Sequence, residues 1–258
     1  KDLVLAGDAA GVVAPSSGEG IYYAMIGGQE AAYAVNECIN AVADNLACRP
    51  SRVFPASTGV IGEFLPYELI TSAIPVAFKR MSSPTPDTWA RAASAILTTD
   101  TFPKGSTRIT KIGDIEVSIS GISKGSGMIA PNMATLLAFI FTDADIPAPI
   151  LQGIVDSCVT KTFNSITVDS DTSTSDTLLV FATGACKAKL NLKEVADPRL
   201  ADFKKKIEGS SESSRSIQRG VLDGGHGRSI QRCVLDSGTH SRVVALSSAV
   251  CWIAGSID

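Results

Sequence analysis

The sequence predicts an α/β protein in which helices cover a layered β-sheet. Between residues 53 and 208, segments with helical hydrophobic periodicity alternate with short apolar runs typical of strands. The chain has 258 residues, of which 45% are hydrophobic and 19% are charged, an ordinary globular composition. A chain of this length and composition buries a substantial core, as one large domain or two small ones.

The individual elements follow from local periodicity and composition. Apolar residues that recur every three to four positions, or an alanine-rich composition, predict helices over Ala24–Val42, Glu63–Arg80, Thr88–Leu97 and Ile150–Lys161. Short apolar runs predict strands over Leu3–Ala6, Ile115–Ser120, Leu136–Thr142 and Thr177–Ala182.

Charge and cysteine usage exclude several classes of function. A net charge of −3 provides no general attraction to nucleic acid or to anionic lipid. No apolar run reaches the roughly 18 residues that a membrane-spanning helix needs. Six cysteines without a Cys-x-x-Cys pair indicate a reducing cytoplasm. Because Lys1 leads straight into an apolar run, we expect the chain to start inside a gene.

Changes in composition divide the chain into three segments, residues 1–45, 46–208 and 209–258. The last segment contains a tandem repeat, since residues 215–227 and 228–240 resemble each other closely. Two copies are too few to build a solenoid. We therefore expect a non-native or out-of-frame tail with poor order, and a genuine interaction segment is the alternative.

Both histidines of the chain, His226 and His240, lie in this tail. Histidine-based triads, zinc sites with histidine ligands and histidine general bases are therefore excluded from residues 1–208. A nucleophile there needs another base. The α-amino group of a chain end, whose pKa is about 7.7 to 8, is a suitable one.

Four sequence blocks, residues 51–66, 93–104, 121–144 and 163–185, occur in that order. Together they resemble the glutamate N-acetyltransferases, the bifunctional ornithine acetyltransferases of arginine biosynthesis. The resemblance implies their layered α/β sandwich and self-cleavage between Ala134 and Thr135. It also implies that the freed Thr135 accepts an acetyl group from N-acetylornithine and passes it to glutamate.

The same resemblance assigns the supporting residues. Thr58 and Gly59 match the family's oxyanion hole, in which a hydroxyl and a backbone amide stabilise charge on the attacked carbonyl. Thr98 and Lys124 match substrate-binding residues, and Thr99 is the alternative to Thr98 if the register shifts by one.

The acidic run Val168–Thr177 could suggest a metal loop. However, it lacks the glycine and the terminal glutamate of an EF-hand. It is therefore interpreted as a structural turn that caps the next strand, and no metal site is predicted.

The first segment suggests a different function. Residues Leu3–Ala32 resemble the second flavin-contacting segment of FAD-dependent geranylgeranyl reductases, and this resemblance assigns flavin contacts to Asp8, Gly18 and Gly20. A reductase fragment is thus the alternative function. A complete FAD site also needs a glycine-rich βαβ turn, which this sequence lacks. We therefore expect no bound flavin and no cofactor.

The transferase resemblance fades near residue 203 and gives way to the repeat. We therefore interpret the chain as a chimera, and expect the transferase activity to be impaired by truncation; an inactive fragment is the third possibility. The expected partners are the small-molecule substrates alone. We expect a cytoplasmic protein whose self-cleaved halves stay associated, and a homo-oligomer is left open.

Overall fold

The protein was analysed as a computed structural model that describes residues 20–57, 65–81, 87–98, 100–125, 136–165, 176–208, 241–245 and 252–256. The chain divides into two compact units: one comprises residues 1–83 and 242–255, and the other comprises residues 84–241 and 256–258. One unit contains two long helices, and the other contains the main sheet and its flanking helices.

The helical unit is built from α1 (Gly20–Leu46) and α2 (Tyr67–Met81). Apolar side chains spaced three to four residues apart form one face on each helix, and these faces pack against each other. The buried cluster consists of Cys38, Val42, Ala43, Leu46, Val53, Ile70 and Ile74. This cluster spans the boundary proposed from composition between residues 45 and 46.

The second unit is organised around four strands, β1 (Lys104–Ile112), β2 (Ile115–Lys124), β3 (Leu137–Thr142) and β4 (Thr177–Ala182). They pair in sequence order. The pairs β1–β2 and β2–β3 are antiparallel, whereas β3–β4 is parallel. The turn between β1 and β2 contains Gly113, whose φ of 61° is a conformation that suits glycine.

Helices cover both faces of this sheet. The helix α4 (Ala148–Val159) and residues 201–208, which are also helical, bury the face that presents Ala138 and Ile140. The opposite face packs on α3 (Asp87–Ala95), where Trp89 lies edge-on to Phe141 with ring centroids 5.3 Å apart. All six residues of β3 are buried as a result.

The predicted α/β fold, with helices covering a sheet, is confirmed for the described residues. The structure extends the predicted first helix at both ends and adds β1, which the sequence analysis did not predict. In β1 the charged and polar residues do not follow a strict alternation, which explains the omission. The predicted strand Leu3–Ala6 lies outside the described residues.

Most of the C-terminal segment also lies outside the described residues. Two short strands within it, β5 (Ser241–Ala245) and β6 (Trp252–Ser256), pair with each other in a separate two-stranded sheet. The division into three segments stays a prediction, and the repeat of residues 215–240 is not described.

Candidate active site

Three chain segments meet at one edge of the main sheet. Because β2 and β3 are antiparallel, the last residue of β2, Lys124, pairs with the first residue of β3, Leu137. The parallel strand β4 begins at the same edge, where Thr177 pairs with Leu137. Polar groups at the end of β2 and at the starts of β3 and β4 are therefore neighbours.

Two predicted substrate-binding residues are in direct contact at this edge. The Lys124 side chain is almost fully buried, with 1% of its surface exposed, and its Nζ donates a hydrogen bond to Thr98 Oγ1 at 3.1 Å. Thr98 itself is exposed, so the pair joins a buried cation to the protein surface. Thr99 lies outside the described residues, and the choice between the two threonines stays open.

Asp100 organises the same region through its carboxylate. Its Oδ1 accepts a hydrogen bond from the backbone N–H of Gly125 at 2.7 Å and another from Lys104 Nζ. Gly125 has a φ of 145°, a conformation that L side chains rarely adopt. Asp100 therefore fixes the chain where it leaves β2 and enters residues 126–135.

Several charged side chains are buried at this site. Lys104 and Asp100 form an ion pair in which neither side chain is more than 6% exposed. Burial alone would raise the pKa of the Asp100 carboxyl, but the hydrogen bonds from Lys104 and Gly125 leave it lowered. The ammonium group of Lys124, which is also buried, lies close enough to feel the charges of both members of this pair.

The environment of Lys124 favours its neutral form. Burial lowers the pKa of its ammonium group; the negative charge of Asp100 opposes this shift and the positive charge of Lys104 adds to it. A negatively charged ligand group beside Lys124 would stabilise its charged form. The site is thus suited to bind a carboxylate.

A second carboxylate, that of the half-buried Asp176, lies just before β4 and contacts the residue that precedes β3. Asp176 Oδ1 accepts a hydrogen bond from the backbone N–H of Leu136 at 2.5 Å, and Leu136 O accepts one from Thr177 N at 2.8 Å. Burial raises the pKa of Asp176 to about 6, although the Leu136 hydrogen bond opposes the shift. The interpretation of the acidic run Val168–Thr177 as a turn that caps the next strand stays a prediction, because most of the run lies outside the described residues; its residue Asp176 contacts the residue that precedes β3.

Several predicted site residues lie outside the described residues, namely Thr58, Gly59, Ala134, Thr135, Asp8 and Gly18. Gly20 is the first residue of α1. The roles assigned to all of these residues stay predictions. The structure does bring Thr98 and Lys124 together, although 25 residues separate them in the sequence.

The predicted site residues do not include Asp100, Lys104 or Asp176. Asp100 and Lys104 lie four residues apart but outside any helix, so the rule that pairs acid and base at that spacing on a helix gave no signal for their contact. Asp176 was noted only as part of an acidic run. Its contact with Leu136 depends on the pairing of β3 with β4, which local sequence does not specify.

Two further observations concern metal binding and membrane spans in the described part of the chain. There, no group of three or more histidine, cysteine, aspartate or glutamate side chains is arranged to hold a metal ion. None of the helices searched in that part is long and apolar enough to cross a membrane.

The fold and the site define an α/β protein with a buried lysine, a threonine and two anchoring aspartates at one edge of its sheet. A sequence model described as the ArgJ family matches residues 12–229. The chain belongs to this family.

Curated relatives carry the name "Arginine biosynthesis bifunctional protein ArgJ". The protein of Gluconobacter oxydans is 50% identical over 176 residues, which are 68% of this chain and 41% of the relative. That of Mesorhizobium japonicum is 46% identical over 81% of this chain and 51% of the relative. That of Brucella suis is 42% identical over 92% of this chain and 56% of the relative. The chain thus spans about half the length of the curated relatives it matches.

These comparisons give no support to the resemblance between residues 3–32 and the FAD-dependent reductases. The family match begins at residue 12 and extends to residue 229, so it enters both the first and the last of the three proposed segments. The interpretation of the chain as a chimera is likewise unsupported.

Proposed function

We propose that this chain provides the self-processing and acyl-accepting part of a glutamate N-acetyltransferase, which moves an acetyl group from N-acetylornithine to glutamate in arginine biosynthesis. Membership of the ArgJ family supports the proposal. The carrying observation is the hydrogen bond from Lys124 to Thr98, which lies at the sheet edge where the chain passes from Thr135 into β3.

The first step is cleavage of the chain at Ala134–Thr135. The Thr135 hydroxyl oxygen attacks the carbonyl carbon of Ala134, the peptide C–N bond breaks, and the hydroxyl proton passes to the departing nitrogen. Water then hydrolyses the resulting ester, which leaves a carboxylate on Ala134 and restores the Thr135 hydroxyl. This step supplies the free α-amino group that residues 1–208, which contain no histidine, otherwise lack as a base.

The second step is acetyl transfer. The α-amino group of Thr135 takes the hydroxyl proton while the oxygen attacks the acetyl carbonyl of N-acetylornithine. Thr58 and Gly59 stabilise the oxyanion, and the Thr135 amino group protonates the departing ornithine nitrogen. The amine of glutamate then attacks the acetyl ester and regenerates Thr135. No cofactor takes part in this route.

The buried ammonium of Lys124 gives the site its preference for amino-acid substrates. Both N-acetylornithine and glutamate carry an α-carboxylate, and either carboxylate would stabilise the charged form of Lys124. The Thr98 hydroxyl accepts the hydrogen bond from Lys124 and so directs the ammonium group toward the protein surface.

The two pieces formed by cleavage would remain together. Strand β2 precedes the cleavage site and β3 follows it, yet they are paired from Ile119–Thr142 to Lys124–Leu137. Both strands also contribute to one hydrophobic core. Separation would expose this core to water, which is strongly unfavourable. Action on small amino-acid substrates is consistent with the cytoplasm, and a homo-oligomer stays a prediction.

Capture of the acetyl-enzyme tests this function. The chain is incubated with N-acetylornithine that carries a labelled acetyl group, and the fragment that begins at Thr135 is analysed by mass spectrometry. We expect one acetyl group on Thr135, released by hydroxylamine as an ester should be. Lys124→Met should reduce labelling. Label on another residue, or equal labelling of Thr135→Ala, would contradict the proposal.

A further inference from the structure

We propose that Asp176 is a positioning residue for Thr135, acting through the peptide group that joins Thr135 to Leu136. The inference deepens the proposed function and rests on it, because it concerns the same nucleophile. It assigns a task in the reaction to a carboxylate that the mechanism above does not use.

The geometry at Leu136 carries the inference. Asp176 Oδ1 lies 2.5 Å from Leu136 N, and this nitrogen is covalently bonded to the carbonyl carbon of Thr135. A peptide group is planar, so fixing its N–H also fixes the plane that contains the carbonyl and the Cα atom of Thr135. The carboxylate therefore controls a group one bond from the nucleophilic residue.

A second hydrogen bond holds the carbonyl group of Leu136. Asp176 and Thr177 are consecutive, and together they hold Leu136 at both its amide and its carbonyl, since Thr177 N donates to Leu136 O at 2.8 Å. Leu136 is buried, with 9% of its surface exposed, which leaves it little freedom to tilt. The start of β3 is thus fixed in both translation and rotation.

Asp176 retains capacity for a further contact. Its Oδ2 is buried and, within the described part of the chain, accepts no hydrogen bond. A buried carboxylate oxygen without a hydrogen-bond donor is energetically unfavourable, and such oxygens are uncommon in folded proteins. This oxygen belongs to the same carboxylate whose Oδ1 already holds the amide of Leu136, the residue that follows Thr135.

A matched control exists at the other end of the same strand pair. Asp143 follows β3, and its Oδ1 accepts a hydrogen bond from the backbone N–H of Ser118 in β2 at 2.7 Å. The bond joins the same kinds of group in the same sheet, but at the edge opposite Thr135. Its loss should weaken the fold without affecting the nucleophile.

The test compares the rate of cleavage at Ala134–Thr135 in four forms of the full chain: wild type, Asp176→Ala, Asp176→Asn and Asp143→Ala. Circular dichroism establishes the folded fraction of each, and rates are expressed per folded molecule. We expect Asp176→Ala to slow cleavage about tenfold or more, because a charge-assisted hydrogen bond is lost. Asp176→Asn keeps an acceptor oxygen and should stay within about threefold of wild type.

Hydrogen exchange at the Leu136 amide provides a second measurement. Protection should be lost in Asp176→Ala, retained in Asp176→Asn and retained in Asp143→Ala. If wild type cleaves and Asp176→Ala keeps its rate, or if Asp143→Ala slows cleavage equally, the positioning role is wrong while the proposed function stands. A folded wild-type chain that never cleaves would instead contradict the proposed function and remove the nucleophile that Asp176 is said to position.

Discussion

The carboxylate of Asp100 holds the amide of Gly125 at 2.7 Å and also accepts a hydrogen bond from the buried Lys104. One side chain therefore joins the end of β2 to the start of β1. The arrangement has an electrostatic consequence, because Asp100 forms an ion pair with the buried Lys104 and its charge also favours the ammonium form of the buried Lys124. Removal of the Asp100 carboxylate should lower the stability of the fold more than the loss of a single hydrogen bond would.

We expect Asp100→Ala to lower the free energy of unfolding by about 3 kcal/mol, since it leaves a buried charge without its partner. The double variant Asp100→Ala/Lys104→Met removes that unpaired charge and should recover part of the loss. Urea unfolding of the two variants in a Thr135→Ala background, which keeps the chain in one piece, provides the comparison. A double variant less stable than Asp100→Ala would show that the charge is not the cause.

The substitution Lys124→Met should change how the stability of the fold depends on pH, and it should abolish carboxylate binding. The folded protein lowers the pKa of Lys124 below its usual 10.5, so the folded state releases this proton at lower pH than the unfolded state. The stability of the wild type should therefore rise with pH between that lowered pKa and about 10.5. Lys124→Met should lack this rise, and parallel unfolding curves of the two proteins against pH would detect it. Identical pH dependence would contradict the assignment.

Asp176 should produce a pH dependence of the opposite sign. Its pKa is about 6 in the folded protein, against a usual 3.8, so the folded state holds the proton longer as pH rises. From about pH 4 to pH 6.5, the free energy of unfolding of the wild type should fall relative to that of Asp176→Asn by about 1 kcal/mol. This figure is reduced because the side chain is partly accessible to solvent. Above about pH 6.5 the difference between the two proteins should stay constant. Unfolding of the Thr135→Ala chain with and without Asp176→Asn measures it. A constant difference across this range would show that Asp176 is not perturbed.

Two glycines should respond to alanine in opposite directions. A Cβ atom at Gly121 would lie 3.0 Å from the carbonyl oxygen of Phe139 and 3.3 Å from Ile140 Cγ1, inside the β2–β3 pair. We expect Gly121→Ala to destabilise the protein by about 1–3 kcal/mol. The matched control is Gly28→Ala in α1, where nothing lies within 4 Å and alanine should stabilise the helix by about 0.5–1 kcal/mol. Thermal unfolding of both variants tests the packing of this strand pair.

Some secondary-structure elements of this protein are predictable from local sequence, and others are not. Helices with a regular apolar face, such as α2 and α4, and the predominantly apolar strands β3 and β4 are evident from local pattern alone. Strand β1 is not, because its polar and apolar residues do not alternate with burial: Lys104 and Thr110 are buried, whereas Ile109 is exposed. Its strand conformation comes from pairing with β2 rather than from its own residues.

The candidate site also contains residues that the sequence predicts and residues that only the fold reveals. Thr98 and Lys124 were identified by family resemblance, and their contact follows from the fold. The roles of Asp100 and Asp176 depend on which backbone amides they reach, Gly125 and Leu136, and those are set by strand pairing across 25 and 40 residues of chain. Such long-range contacts leave no periodic signature in the sequence.

The most direct test of the central claim is N-terminal sequencing and intact-mass analysis of the purified chain after incubation. The account predicts a fragment that begins Thr-Leu-Leu-Ala, starting at Thr135 and ending at Asp258, and a companion that ends at Ala134. Thr135→Ser should still cleave because the hydroxyl remains, and Thr135→Ala should stay intact. A new amino terminus at any other residue, or cleavage that persists in Thr135→Ala, would contradict the assignment of Thr135 as the nucleophile.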